Sequence, residues 1–475
     1  MKTSILAVFI SISFISCQSN TVVSSEANMT TPISDSVLES AVIYEVNIRQ
    51  YSKQGTFEAF TKDIPSLKDL GVKIIWLMPI NPISKIKRKA TDGSFTSDIA
   101  DDVERKKYLG SYYSVSDYKA VNPEFGSKGD LKNLIETAHQ NDIYVIIDWV
   151  PNHTGWDHPW IYAHPEWYTQ NEQGDIIDPI NPDTGKSWGW TDTADLNYDN
   201  TDMQNEMIND LIYWVENFNI DGYRMDVAHK VPPKFFNRAI LELRKIKPLF
   251  MLAEAEQQDL FRNGFDMQYA WEGHHILNSI VKGTSNTKDF DVYINQQNNL
   301  LEATDFKMNF VTNHDENSWN GTVKERLGDA SDMITTLVYS MPGMPLIYSG
   351  QEYDLNHRLK FFEKDSIPKT KGNTWDLLTK LGALKNTNPA FHGGKSSANY
   401  ERLPTANDQV MAFRRTKDDA EIYFIGNLSN VNQTYSMNLE GTYRDLLKDT
   451  MITFDQDNIK LAPWEYHLVS KKSNE

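Results

Sequence analysis

Cysteine is almost missing from this chain: among 475 residues there is one, Cys17. A single thiol excludes an internal disulfide framework and any site built from several thiolates. Positive charge is also short, with 47 Lys and Arg against 65 Asp and Glu and a formal net charge of −18. A surface this acidic repels phosphate backbones, which argues against nucleic acid as a partner. The apolar stretch at 5–15, which follows Lys2, is too short to span a bilayer in a mature protein and has the length of a secretory h-region. The remaining composition, 40% hydrophobic and 24% charged, is that of a globular body with a sizeable core. At roughly 150 residues per domain, the length fits three domains or one large barrel with attachments.

Phe14, Ile15, Ser16 and Cys17 resemble the cleavage box of bacterial lipoproteins, with Phe14 where that family usually has Leu. The resemblance implies a signal region at 1–17 ending on Cys17 as the lipidation site. Residues 18–38 begin rich in Ser, Thr and Asn without apolar periodicity, and are expected to be a flexible tether. The expectation is an exported, membrane-anchored protein in the periplasm or on the cell surface.

From about residue 41, short β-branched or apolar runs alternate with longer segments of helical period, the pattern of β/α units around a parallel sheet. The spacing predicts strands at 42–47, 74–78, 144–148, 222–226, 249–253, near 265, at 310–313 and at 345–348. Leu131, Leu134, Ile135 and Ala138, then Met207, Ile208, Leu211 and Val215, recur at helical spacing and mark outer helices. Eight strands predict an α/β fold, a (β/α)8 TIM barrel over 39–388. Segment 154–200, after strand three, shows no long helix and carries Trp156, Trp160, Trp167, Trp188 and Trp190. Such an inserted loop domain either packs on itself or offers rings that stack on sugars. A charged insertion at 85–107 reads as a solvated loop. After 389 the chain alternates as an antiparallel β-sandwich to 475.

In such a barrel the chemistry sits at the C-terminal ends of the strands. Strand three ends in Asp148, strand four in Asp226, strand five runs into Glu254 and strand seven into Asp315. One such carboxylate is commonly a helix cap; four on one rim raise each other's pKa and need a functional reason. With no multi-cysteine site and no zinc spacing, the set suits glycosidic-bond hydrolysis, which uses one carboxylate as nucleophile and one carboxylic acid as proton donor.

DWVPNH (148–153), GYRMD (222–226), MLAEAE (251–256) and FVTNHD (310–315), in this order, resemble the signature regions of the α-amylase family of retaining glycoside hydrolases. The flanks GVKIIWLMP, GSYYSVSDY with NPEFG, ADLN, GMPLIYSGQE and the closing PWEYHLV are similar too. The resemblance implies Asp226 as nucleophile, Glu254 as general acid and base, and Asp315 as the group that binds sugar hydroxyls and favours the distorted transition state. It implies Arg224 holding Asp226 ionised, Asp148 orienting Arg224, His153 and His314 bonding sugar hydroxyls, and Tyr113 stacking under the ring. It requires no cofactor for the chemistry and no protein partner.

Departures matter. His229 and Lys230 stand in the reverse of the family's usual order, so neither is assigned to catalysis. Tyr51 to Phe57 holds no Asp, so the acidic calcium loop many relatives carry there is absent. Asn152 and Asp195 match calcium-coordinating positions, although other relatives keep these residues without the metal. The implied substrates are α-1,4-glucans such as starch or maltooligosaccharides; Val227 after the nucleophile occurs in relatives that cut α-1,6 bonds. The alternatives are an exo-acting α-glucosidase, an oligo-1,6-glucosidase or a transglycosylase on short α-glucans, and, from another class, a non-catalytic glucan-binding surface protein.

Overall fold

Eight short parallel strands close into a ring: β1 (Val42–Val46), β2 (Val72–Leu77), β3 (Tyr144–Trp149), β4 (Gly222–Met225), β5 (Phe250–Ala253), β6 (Met267–Tyr269), β7 (Phe306–Phe310) and β8 (Met344–Tyr348). This computed structural model describes residues 33–455 and 459–471; Cys17, the signal region and most of the expected tether lie outside the described residues. The strands pair in chain order, and β8 returns to β1. Alternate residues fill the cylinder: Ile43, Ile74, Trp76, Ile146, Leu252 and Met308 belong to one buried cluster inside it. Their neighbours in the strands, such as Tyr44, Ile75, Ile147 and Met251, face the surrounding helices.

Those helices form where the apolar spacing predicts. Lys128–Gln140 opens with Ser127 and Asp130 in a reciprocal capping box and buries Leu131, Leu134, Ile135 and Ala138. Thr201–Phe218 buries Met207, Ile208, Leu211 and Val215. Burying each Leu, Ile or Met of these stripes contributes roughly 2 kcal/mol before chain entropy is counted.

Two expectations need correction. The seventh strand is Phe306–Phe310, not 310–313. Lys307 and Asn309 interrupt its apolar run, so the continuous Phe310-Val311-Thr312 drew the expectation downstream, past the strand to its exit loop. The tether does not reach residue 38: Asp35–Ser40 is a short helix capped by Ser34, and Leu38 is buried against the barrel's inner cluster. Beyond the barrel, six strands between Asn399–Arg402 and Tyr466–Lys471 form an antiparallel sheet. A two-stranded sheet, Gln433–Tyr435 with Ile459–Leu461, adds Tyr435 and Leu461 to a shared core with Val410, Ile425 and Val469.

Gly222 opens β4, where the backbones of β4 and β5 touch. A Cβ there would lie 1.9 Å from the Phe250 carbonyl oxygen, a separation only glycine permits.

Candidate active site

Strand register delivers the carboxylates to one place. Asp148 lies opposite Arg224 across β3 and β4, and Met225 opposite Ala253 across β4 and β5. The next residues, Asp226 and Glu254, leave adjacent strands side by side. Their main chains remain tied there, Asp226 N to Trp149 O at 2.8 Å and Glu254 N to Met225 O at 3.0 Å. Neighbouring strands run about 4.8 Å apart, so the two side chains leave the barrel as immediate neighbours.

Arg224 is fully buried beneath them. Its Nη1 donates to Asp148 Oδ1 and to Asp226 Oδ1, both at 2.8 Å, and its Nε to Tyr269 Oη at 3.2 Å. Its Nη2 lies 2.9 Å from Glu254 Oε2 but is not aligned for a hydrogen bond; that oxygen accepts from Val227 N at 2.7 Å. Trp76 Nε1 donates to the other oxygen of Asp148 at 3.2 Å, fixing the carboxylate that fixes the arginine. Val227 has φ +37°, a left-handed conformation that strains a β-branched residue and turns its N–H toward Glu254.

His314 is held on both sides. Its Nδ1 lies 2.5 Å from Glu45 Oε1, its Nε2 2.8 Å from Tyr113 Oη and 3.3 Å from Asp315 Oδ2. Burial opposes its charge, but Asp315 and Glu45 outweigh that and raise its pKa to about 9. His153 meets the opposite fate: burial lowers it to about 3, so the ring is neutral, with Nδ1 beside Asn152 Nδ2. Burial raises Asp226, Asp148 and Asp315, with Arg224 opposing at the first two and His314 first among the groups opposing at Asp315.

The mouth is a cavity of about 360 Å³ lined by Tyr113, His153, Asp226, Val227, Glu254, His314 and Asp315. All the expected catalytic and sugar-contacting residues thus meet here, with Arg224 below the floor. A larger cavity beside β7 contains none of them. Glu45 was missed, although an acid two residues after inward-facing Ile43 in an otherwise apolar strand signals it. Lys89, Trp190, Phe361 and Phe362, from loops without periodicity, and Trp319, from the π-helical turn Glu316–Asn320, also line the mouth. The inserted tryptophans divide: Trp160 and Trp167 are core, packed edge to face at 5.0 Å, whereas Trp190 faces the site with Trp188 stacked on it at 6.0 Å. His229 and Lys230 sit on a short turn, where the Lys230 ammonium lies 3.7 Å over Trp188. Lys89 does not behave as part of a solvated loop: it pairs with Asp192 at 3.1 Å and donates to Gly189 O.

Asn152 and Asp195 lie at the start of the inserted segment and at its closing strand. Asp195 pairs in register with His153, and its Oδ2 accepts from Thr169. Among the described residues no group of three or more His, Cys, Asp or Glu side chains is placed to hold a metal ion.

The ionised His314 makes a pH signature. Because its folded pKa exceeds the usual 6.5, its ion pairs stabilise the fold fully below that value and are lost as pH rises through about 9. Glu45→Gln removes one carboxylate partner and is expected to shift the alkaline limb of kcat/KM about one unit toward acid. A limb that stays in place would separate His314 from the alkaline titration.

Comparison with known proteins agrees with this geometry. Residues 39–275 match the family model described as the alpha amylase catalytic domain. Alpha-amylase 3 of Dictyoglomus thermophilum is 23% identical, over 91% of this chain and 93% of its own. The crystal structure of the maltogenic alpha-amylase AmyB from Thermotoga neapolitana superposes with a TM-score of 0.79 at 25% identity, covering 91% of this chain and 98% of that one. An alpha-amylase from Lactobacillus plantarum gives 0.78 at 26% identity, over 91% and 99%.

Proposed function

Since the chain belongs to the alpha-amylase family through the catalytic domain at residues 39–275, we propose that it hydrolyses α-1,4-glucosidic bonds of starch or maltooligosaccharides by double displacement on Asp226 and Glu254. The observation that carries this reading is their emergence side by side from β4 and β5 above one buried guanidinium.

In the first step an Asp226 oxygen attacks the anomeric carbon while Glu254 gives its proton to the departing glycosidic oxygen. In the second, the Glu254 carboxylate takes a proton from water as that water attacks the same carbon and frees Asp226. Arg224 keeps the attacking oxygen anionic through a charge-assisted bond. Asp315, His314 and neutral His153 surround the ring and bond its hydroxyls, and the Tyr113 ring, nearly parallel to His314 at 5.5 Å, forms the platform. Positive charge develops on the ring in the transition state, and the neighbouring carboxylates stabilise it there.

The test is proton NMR of maltoheptaose hydrolysis from the first minutes. Product with the α configuration at the newly formed reducing end supports the reading; β product overturns it. Oligosaccharides longer than the substrate would identify transfer to a sugar in place of water, which the same residues perform.

The reading extends to location: an exported protein anchored through a lipidated Cys17, supported by the cleavage box at 14–17. In a bacterial host the chain is expected to incorporate labelled palmitate and enter the detergent phase on partitioning. Cys17→Ser should lose both, and equal labelling of the variant would refute the anchor.

A further inference from the structure

The two sides of the mouth are built differently. Beyond Glu254, where a leaving sugar emerges, stand Val227 and the stack of Lys230 on Trp188, whose ring is 40% exposed. Behind Tyr113, His314 and Asp315, the loop after β2 and the loop after β8 join into a wall. The joint is main chain to main chain: Leu109 N donates to Phe362 O at 2.6 Å, and Tyr108 bridges antiparallel to Glu363. The Thr91 hydroxyl donates to the Glu363 carboxylate at 3.2 Å. Beneath the joint, buried Arg49 reaches both loops, with Nη1 2.9 Å from Gly110 O and 3.4 Å from Phe361 O. On the face toward the sugar site, the Phe361 ring lies 6.5 Å from Tyr113 and within 11° of parallel, with Trp319 packed on it at 5.0 Å.

A polymer can be cut internally only where it runs out of the site at both ends. Backbone hydrogen bonds and the buried arginine hold the frame of this wall, so it does not depend on side-chain contacts alone to stay closed. Which sugar meets this wall follows from the proton donor. Glu254 protonates the leaving side, so the wall stands on the glycone side, where the non-reducing end of an α-glucan lies. We propose that this wall makes the protein a chain-end enzyme, which admits the non-reducing terminus against Phe361 and releases a short sugar of fixed length, glucose or maltose. The inference rests on the assignment of Asp226 and Glu254 above, because those roles define the glycone side. It narrows the substrate to chains with a free non-reducing end.

The experiment compares maltoheptaose carrying a reducing-end fluorophore with the same chain capped at its non-reducing end by a 4,6-O-ethylidene acetal. The uncapped chain should shorten by one fixed step from the first turnovers, and the capped chain should react at least about 100-fold more slowly. Similar rates on both, with mixed internal fragments, overturn the chain-end proposal and leave the glucanase reading intact. Cleavage of neither overturns the glucanase reading, and this proposal with it. Phe361→Ala removes the ring at the stop while leaving the Leu109–Phe362 bond. With an unchanged thermal midpoint it should release a longer sugar; an unchanged product length would refute Phe361 as the stop.

Discussion

Asp226→Asn is expected to lower kcat on maltoheptaose by roughly five orders of magnitude. The amide keeps the shape of the side chain but cannot attack, so no glycosyl-enzyme forms. The fold should not suffer. Burial first, then Glu254 and Asp148, already push the Asp226 carboxyl toward its neutral form, so an uncharged isostere relieves crowding. A thermal midpoint at or above that of the unaltered protein is expected by calorimetry, together with normal binding of maltooligosaccharide. Retention of more than about one part in a hundred of the activity would mean that another group attacks, and the mechanism above would be wrong.

Arg224→Ala should damage fold and activity together. The guanidinium is the cation common to Asp148, Asp226 and Glu254, and it is 0% exposed. Removing one partner from a buried charge cluster costs about 3–5 kcal/mol because the remaining charges are left uncompensated. The carboxylates then take up protons, and Asp226 loses the anionic form that attack needs. A fall in kcat/KM of roughly 10³-fold or more is expected, with a clearly depressed thermal midpoint. Arg224→Lys restores charge but not the fork that spans the three acids, so it should recover stability more than turnover. Near-normal stability in the alanine variant would show that the three carboxylates do not depend on this residue.

How far the chain disclosed itself depended on what periodicity can carry. Tyr144 to Ile147 in β3 and Phe250–Ala253 in β5 are continuous apolar runs, and the helices around Leu131 and Met207 repeat every three or four residues, so their places were readable. The residues that close the active site fell on those readable strand ends. β7 was displaced because Lys307 and Asn309 broke its run. Glu45 escaped notice because its strand appeared purely structural; parity with Ile43 is what aims it at His314. The rim is the part that could not be read. Lys89, Phe361 and Phe362 belong to loops and Trp319 to a lone π-helical turn, none with an apolar repeat, and contacts such as those of Tyr108 with Glu363 and of Leu109 with Phe362, more than 250 positions apart in the chain, bring the two loops together.

The bare backbone at Gly222 acts at a distance. A methyl group there would wedge β4 away from Phe250 and break the pairing of the two strands that further on release Asp226 and Glu254 into the mouth. The base of the two strands that carry attacker and proton donor thus depends on a missing side chain that never sees the sugar.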